Sequence, residues 1–382
     1  MNRSNSGANL PALRSHNAAL VLDLLRAAGE GGISRLELAE RTGLTPQAVS
    51  KITARLRAEG LAAGAGHRAS TGGKPRTVLR LVPDAGYAVG LHLDRDELTA
   101  VLVDLSGAVA ASRTAPLDLG APADEVLAAA TDAVTAVRAG APGASGAGER
   151  PGPGAGERSV LGVGVAVPGP LDHRGGVLHR VTGFPQWDGY PLRDELAVRT
   201  GLPVVVDKDT NAAALGLALR AAGGGDFAYL HLGTGLGAGL VLGGALHRGA
   251  RTAAGEFGHQ TVQLDGPVCG CGGRGCIEAL CLAAVARGDV AEAARVLGTG
   301  AANLVGLLDI DRVVLGGRAV AADPEAYVRG VRAVIDERAA LGGIDAPVPV
   351  TTAGGGDRPV AEGAAQLILA PLFGRAGGAY GA

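Results

Sequence analysis

Residues 253–278 read AAGEFGHQTVQLDGPVCGCGGRGCIE, and three of the chain's four cysteines lie in this stretch. With the histidine before them they form H-x9-C-x-C-x4-C: His259, Cys269, Cys271 and Cys276. Four soft or borderline donors in a glycine-rich loop can wrap a tetrahedral Zn²⁺. The glycines permit the tight turns that aim three thiolates at one point. Four protein ligands leave no position open for water, so a structural ion is expected, not a Lewis acid. Cys281, five residues further on, is an alternative fourth ligand, although such a residue is more often core; reduced free thiols are the remaining alternative. Two carboxylates are tethered to the same loop, Glu256 before His259 and Glu278 after Cys276. Asp209 ends the buried strand of LPVVVDKD. Carboxylates and an imidazole at strand ends and loops can hold sugar hydroxyls by hydrogen bonds. The competing reading is helix caps and surface charge, with Asp209 well placed to cap the helix after it.

Around this loop, from residue 86 onward, the pattern is α/β. YAVGLHLD with LTAVLVDLSG, and FAYLHLGTG with LGAGLVLGG, read as hairpins. VLGVGVAVPGP, VVVDKD and DRVVLGG read as strands; 122–139, 210–222 and 363–373 read as helices. The glycines of Gly233–Gly239 allow close approach of a phosphate, but tight hairpin packing explains them nearly as well. Residues 140–158 are Gly/Pro/Ala-rich and read as a surface loop.

The first 80 residues differ. A helix is expected over Asn17–Ala27. A second follows with Ser34 as cap and Glu37 completing a capping box, and Gly43 ends it. Thr45-Pro46 opens a third helix that runs to Glu59. Two short β runs flank HRASTGGKPR. Helix, short turn, helix and basic hairpin make a winged helix-turn-helix, whose second helix enters the major groove. Thr45, Gln47, Ser50, Lys51 and Arg55 are then the base- and phosphate-contacting candidates, with Arg68, Lys74 and Arg76 on the wing. A helical interaction module with a solvated charged face is the alternative.

Composition agrees. A chain of 382 residues is expected to form two or three units, and a hydrophobic fraction of 47% rules out wholesale disorder. No apolar run reaches the roughly 18 residues of a membrane span, and the N-terminus lacks a signal-type apolar core, so a cytoplasmic protein is expected. The net charge of −2 hides an asymmetry. Residues 1–81 hold 12 Lys and Arg against 5 Asp and Glu, and residues 82–382 hold 23 against 32. A head of +7 on a body of −9 suggests a head that meets a polyanion.

Taken together, these motifs resemble the ROK family of repressors and sugar kinases, in its sugar-responsive regulator branch. The stretch 253–278 is similar to the family's ungapped G-E-x-G-H-x9-C-x-C-G-x-x-G-C-x-E signature. VAVPGPLD, VDKDTNAAALG, LGTGLGAG and VVLGG resemble further family blocks in order. The resemblance implies an actin-like, hexokinase-like pair of α/β lobes around a cleft. It divides the chain into a head at 1–82, a first lobe at 83–205 and a second lobe at 206–362, with the terminal helix packed back on the first lobe. It assigns zinc to His259, Cys269, Cys271 and Cys276, and sugar contacts to Asp209, Glu256, His259 and Glu278. His259 would touch sugar through one ring nitrogen and metal through the other. It further implies a homodimer or homotetramer on an operator of double-stranded DNA.

Three departures matter. Kinases of the family carry G-x-D-x-G-G-T where this chain has Gly90, Leu91 and then His92-Leu93-Asp94-Arg95-Asp96-Glu97. The glycines that admit ATP phosphates are gone from 94 and 95, and Asp94, Asp96 and Glu97 bring three carboxylates to the same turn, so no enzyme activity is expected. Gly183 stands where many members place a sugar-contacting Asn. Only 36 residues separate Cys276 from Val313, so the second lobe reads as shortened. The expected function is a DNA-binding regulator, read as a repressor of carbohydrate genes, controlled by a sugar or sugar phosphate in the cleft. A sugar-blind regulator working through a protein partner, and an ATP-dependent sugar kinase, are the alternatives.

Overall fold

The computed structural model describes residues 10–68, 76–140, 160–220, 225–343, 348–354 and 358–375. Lys74 and nearly all of the stretch 140–158 lie outside the described residues, and of Arg68 and Arg76 only the backbone is described.

The head comprises α1 (Leu10–Ala28), β1 (Ile33–Ser34), α2 (Arg35–Thr42), α3 (Pro46–Ala58), β2 (Ala62–Arg68) and β3 (Arg76–Leu81). Helix α1 starts seven residues ahead of the expected Asn17, with Pro11 in its first turn, where no N–H is required. The capping box forms: the Glu37 N–H donates to Ser34 Oγ at 3.3 Å, and the Ser34 N–H to Glu37 Oε2 at 2.8 Å. Gly43, left-handed at φ 68°, ends α2, and Thr45 Oγ1 caps α3 by accepting from the Ala48 N–H at 3.2 Å. The wing is the antiparallel sheet β1–β3–β2. Val21, Leu25, Ile33, Leu38, Val49 and Leu56 close the head's core.

Two five-stranded sheets form the body. In the first, β4 (Tyr87–Leu93), β5 (Glu97–Asp104) and β6 (Val109–Pro116) make an antiparallel meander. After α4 (Ala123–Ala139), β7 (Val160–Val167) pairs parallel to β4. A small hairpin, β8 (Leu171–Asp172) and β9 (Val177–Leu178), and α5 (Leu192–Thr200) precede β10 (Val204–Lys208), which is parallel to β7. The order is β6-β5-β4-β7-β10. Strand β10 stays in this sheet as far as Lys208, past the expected division at 205/206, because its ladder with β7 continues to Val167.

The second sheet repeats the plan. After α6 (Asp209–Arg220), β11 (Phe227–Leu232), β12 (Leu236–Leu242) and β13 (Ala245–His247) form the meander. Helices α7 (Ile277–Ala286) and α8 (Val290–Leu308) lead to β14 (Arg312–Gly316). Then come α9 (Arg318–Ala322), α10 (Pro324–Leu341) and β15 (Val350–Thr352), giving β13-β12-β11-β14-β15. Helices α7, α8 and α10 cover its outer face.

The last helix, α11 (Arg358–Leu369), begins five residues before the expected Gly363, since Pro359 suits a first turn and Gly363 continues the helix. Gly363 has a packing reason: a Cβ there would run into the Ala212 carbonyl of α6. The other side of α11 lies on β4 and β7, where a Cβ on Gly90 or Gly164 would strike its carbonyls. A 3₁₀ turn, Ala370–Phe373, follows and meets the head. Arg26 of α1 lies 4.5 Å over the Phe373 ring, and Arg375 Nη2 donates to Asp23 Oδ2 at 2.7 Å. Head, first sheet and α11 thus share one apolar core. Among the described residues no helix is long and apolar enough to cross a membrane.

Candidate functional site

The cysteine loop lies between β13 and α7. It is pinned by backbone pairing of Thr261 with Cys276 and of Val268 with Arg274. Gly275 must be glycine, for it is left-handed and a Cβ would strike the Gln263 carbonyl. The donor atoms of His259, Cys269, Cys271 and Cys276 all lie within 4.8 Å of one another. Cys271 Sγ and Cys276 Sγ are 3.8 Å apart, as are Cys269 Sγ and His259 Nδ1. Metal–sulfur bonds of about 2.3 Å in a tetrahedron give donor edges of about 3.8 Å, so the cluster fits a four-coordinate ion. The Gly273 N–H on Cys271 Sγ lowers that thiol's pKa, whereas burial pushes the neighbouring Cys276 thiol up to about 12. Cys281 does not join. It is buried on α7, its Sγ 3.6 Å from the Ala293 carbonyl, and burial pushes its thiol up to about 12. The core reading of that residue therefore stands.

Asp209, Glu256, His259 and Glu278 line a single cleft of about 640 Å³, counting space open to solvent. Asp209 is the first residue of α6, and burial raises its pKa against the opposing pull of His231 and His92. Glu278 Oε2 accepts from the Leu236 N–H at 2.9 Å, which ties α7 to the start of β12. Glu256 Oε1 lies 3.0 Å from Lys208 Nζ, which also donates to the Ala254 carbonyl at 2.6 Å. The His259 ring turns Nδ1 to the thiols and also borders the cleft.

Sequence reasoning missed Lys208 and His231 among the cleft residues and named Arg95 and Thr234 only as members of their turns. Lys208 sits inside a family block, yet its side chain is only 3% exposed, which nothing local announces. Arg318, at the start of α9, gave no signal at all. Its Nη2 donates to Asp94 Oδ2 at 2.6 Å and to Asp96 Oδ1 at 2.7 Å, and its Nη1 to Asp96 Oδ2 at 2.9 Å. Thr234 Oγ1 adds a bond to Asp94 Oδ1 at 2.8 Å. The β4–β5 turn of one lobe is thereby tied to two elements of the other. Burial alone would raise the Asp94 pKa, but His92, the Arg95 N–H, Thr234 and Arg318 outweigh it and hold it below the usual carboxylate range.

Gly183 has φ 88° and leaves room that the Arg95 guanidinium enters, Nη1 lying 3.7 Å from where a Cβ would stand. Gln186 and Trp187 both donate to the Leu119 carbonyl, at 3.0 and 2.9 Å, so this segment is anchored without an Asn. In the head, Thr45, Gln47, Ser50, Lys51 and Arg55 are all exposed, on the side of α3 opposite buried Val49, Thr53 and Leu56. Arg55 makes only a loose 3.6 Å ion pair with Glu59.

Residues 154–287 match the ROK family profile, and residues 20–62 match that of winged helix-turn-helix DNA-binding domains. A putative xylose repressor of Caldicellulosiruptor sp. (strain Rt8B.4) is 28% identical over 331 residues, covering 75% of this chain and 79% of that one. A ROK family transcriptional regulator described as a homologue of the E. coli MLC protein superposes with a TM-score of 0.73 over 94% of this chain and 97% of its own, at 22% identity, and shows the fold. A ROK hexokinase from Thermus thermophilus is 31% identical, with a TM-score of 0.58, covering 73% of this chain and 96% of that one. With two repeated α/β lobes, a cysteine loop beside the cleft and a winged head, the chain belongs to the ROK family.

Proposed function

We propose that this chain is a sugar-responsive DNA-binding repressor, in line with its relatives named as xylose repressors. One observation carries the coupling. Helix α6 begins at the cleft residue Asp209 and packs through Ala212 and Gly216 on Gly363 of α11, which leads to Phe373 and Arg375 against the head. A sugar whose hydroxyls bridge Asp209 on one wall and Glu256, His259 and Glu278 on the other favours a closed cleft. Closure shifts α6 against α11 and turns the head. In a homodimer or homotetramer this mismatches half-sites about 34–36 Å apart. A hundredfold loss of operator affinity needs a difference of about 2.7 kcal/mol between the states, within the reach of a few charge-assisted hydrogen bonds.

In this reading Thr45, Gln47, Ser50, Lys51 and Arg55 contact the operator's major groove, and Arg68, Lys74 and Arg76 contact phosphate beside it. Zn²⁺ on His259, Cys269, Cys271 and Cys276 is structural and fixes the imidazole that faces the sugar. In this reading the protein is not a kinase, because the side chains of Asp94, Arg95 and Asp96, tied down by Arg318, fill the turn that is glycine-rich in the family's kinases and leave no cradle for a nucleotide's phosphates. A protein that acts on an operator works in the cytoplasm.

The test is fluorescence anisotropy on DNA selected from a random pool, repeated with a panel of sugars and sugar phosphates. A palindromic site bound at moderate salt and released by one sugar is the expected result. Asp209→Asn should abolish release with operator binding intact, and Asp23→Ala with Arg375→Ala should blunt release while sugar still binds. Binding without sequence preference, or sugar-dependent ADP production, overturns the reading.

A further inference from the structure

Arg95 is a half-buried guanidinium on the cleft wall with no carboxylate partner among the described residues. This is unexpected for a residue flanked by Asp94 and Asp96, until the ion pairs are traced. Both neighbouring carboxylates are taken by Arg318, so neither turns to Arg95. The other carboxylates of the cleft are engaged as well: Glu256 with Lys208, and Glu278 with the Leu236 N–H. Asp209 is disfavoured as an anion by its burial.

The arginine is also held in place. Its guanidinium carbon lies 5.3 Å from the centre of the Phe184 ring, a cation–π contact that orients the planar group. Nη1 stands 3.7 Å from the Cβ position of Gly183, and Nη2 4.0 Å from that of Gly235. The fork therefore spans from a first-lobe loop to the β11–β12 turn of the second lobe. Gly183, at φ 88°, disfavours a side chain through its backbone, and the Arg95 guanidinium lies within ordinary contact distance of the space left open there.

We propose that the effector carries an anionic substituent, a phosphate or a carboxylate, and that Arg95 receives it. This deepens the proposed function and rests on the cleft being the effector site. The sugar ring faces Asp209, Glu256, His259 and Glu278, and the anionic group points to the β4–β5 turn. A planar guanidinium fork matches the oxygens of phosphate or carboxylate in paired hydrogen bonds, which an ammonium does not. A neutral sugar would leave this fork without an acceptor.

Calorimetry tests it on the full chain with matched sets: glucose, glucose 6-phosphate and gluconate; xylose, xylose 5-phosphate and xylonate. The expected result is one anionic member binding at least about tenfold tighter than its neutral parent, with the preference falling as salt rises. The phosphate and carboxylate arms tell which group is read. Arg95→Ala should narrow the gap to less than about twofold, and Arg95→Lys should restore only part of it. Operator binding without sugar serves as the control for folding. A neutral sugar that binds as tightly as its anionic derivatives, or a preference that survives Arg95→Ala, overturns the proposal and leaves the cleft reading intact. Failure of every sugar to bind the wild-type chain overturns both.

Discussion

The β4–β5 turn, Asp94-Arg95-Asp96, and the β11–β12 turn, Gly233-Thr234-Gly235, occupy the same place in two sheets of identical strand order. The first is fully charged; the second has no charge and two glycines. They meet across the cleft, where Thr234 Oγ1 bonds Asp94 Oδ1. The glycine turn owes its composition to space. Downstream of it, a Cβ on Gly239 would strike the Thr210 carbonyl of α6, and one on Gly237 would press on the Thr210 methyl at 3.0 Å. The charged turn owes its stability to partners, since Arg318 binds both of its carboxylates. One topology therefore supports two kinds of cleft wall, one made by close approach and one by an ion pair between lobes.

Crowding the glycine side should have the largest effect. In Gly239→Val the new Cβ would meet the Thr210 carbonyl and lie 2.7 Å from Ala214 Cβ. Urea denaturation should show a loss of about 3 kcal/mol or more, with poor soluble yield. A variant as stable as the parent would break the assignment of that side to space.

On the charged side, Arg318→Ala leaves the nearly buried Asp94 with His92, Thr234 and the Arg95 N–H. A loss of about 1–2 kcal/mol is expected, moderated because Arg318 is itself 39% exposed. In a double-mutant cycle with Asp94→Asn, the two losses should add to less than their sum. The folded pKa of Asp94 is depressed, so its stabilisation is complete above the ordinary carboxylate range and is lost as pH falls through the depressed value. Acid should therefore destabilise the parent more than Asp94→Asn, and equal slopes would sink the ion-pair account. Thr234→Val removes only one hydrogen bond between the turns and should cost the least, about 1 kcal/mol in the same assay.

Much of the head was legible because its signals are local. Ser34 with Glu37, Gly43, and Thr45 with Pro46 each declare a helix end within four residues. The metal loop was legible for the same reason, its donors lying within 18 positions, from His259 to Cys276. The hairpins showed in apolar runs split by short turns. The terminal helix misled because Gly363 looks like a boundary, when it is the point of contact with Ala212. Asp94 and Asp96 read as bare repulsive charge because their partner is more than 200 residues away. Asp23 and Arg375, 352 residues apart, look like ordinary surface charges until the 3₁₀ turn is docked on α1.

Residue types and their spacing settle a helix-turn-helix head, four His and Cys donors gathered in one loop with Glu256 and Glu278 beside them, and a charged turn at 94–96. Those properties depend on residue type and short spacing, which chain connectivity alone enforces. Tertiary structure decided which charges cancel. Arg318 neutralises Asp94 and Asp96, Lys208 neutralises Glu256, and Arg95 is left facing the cleft. Electrostatic pairing depends on distance in space, and only the packing of two lobes around α6 and α11 sets it.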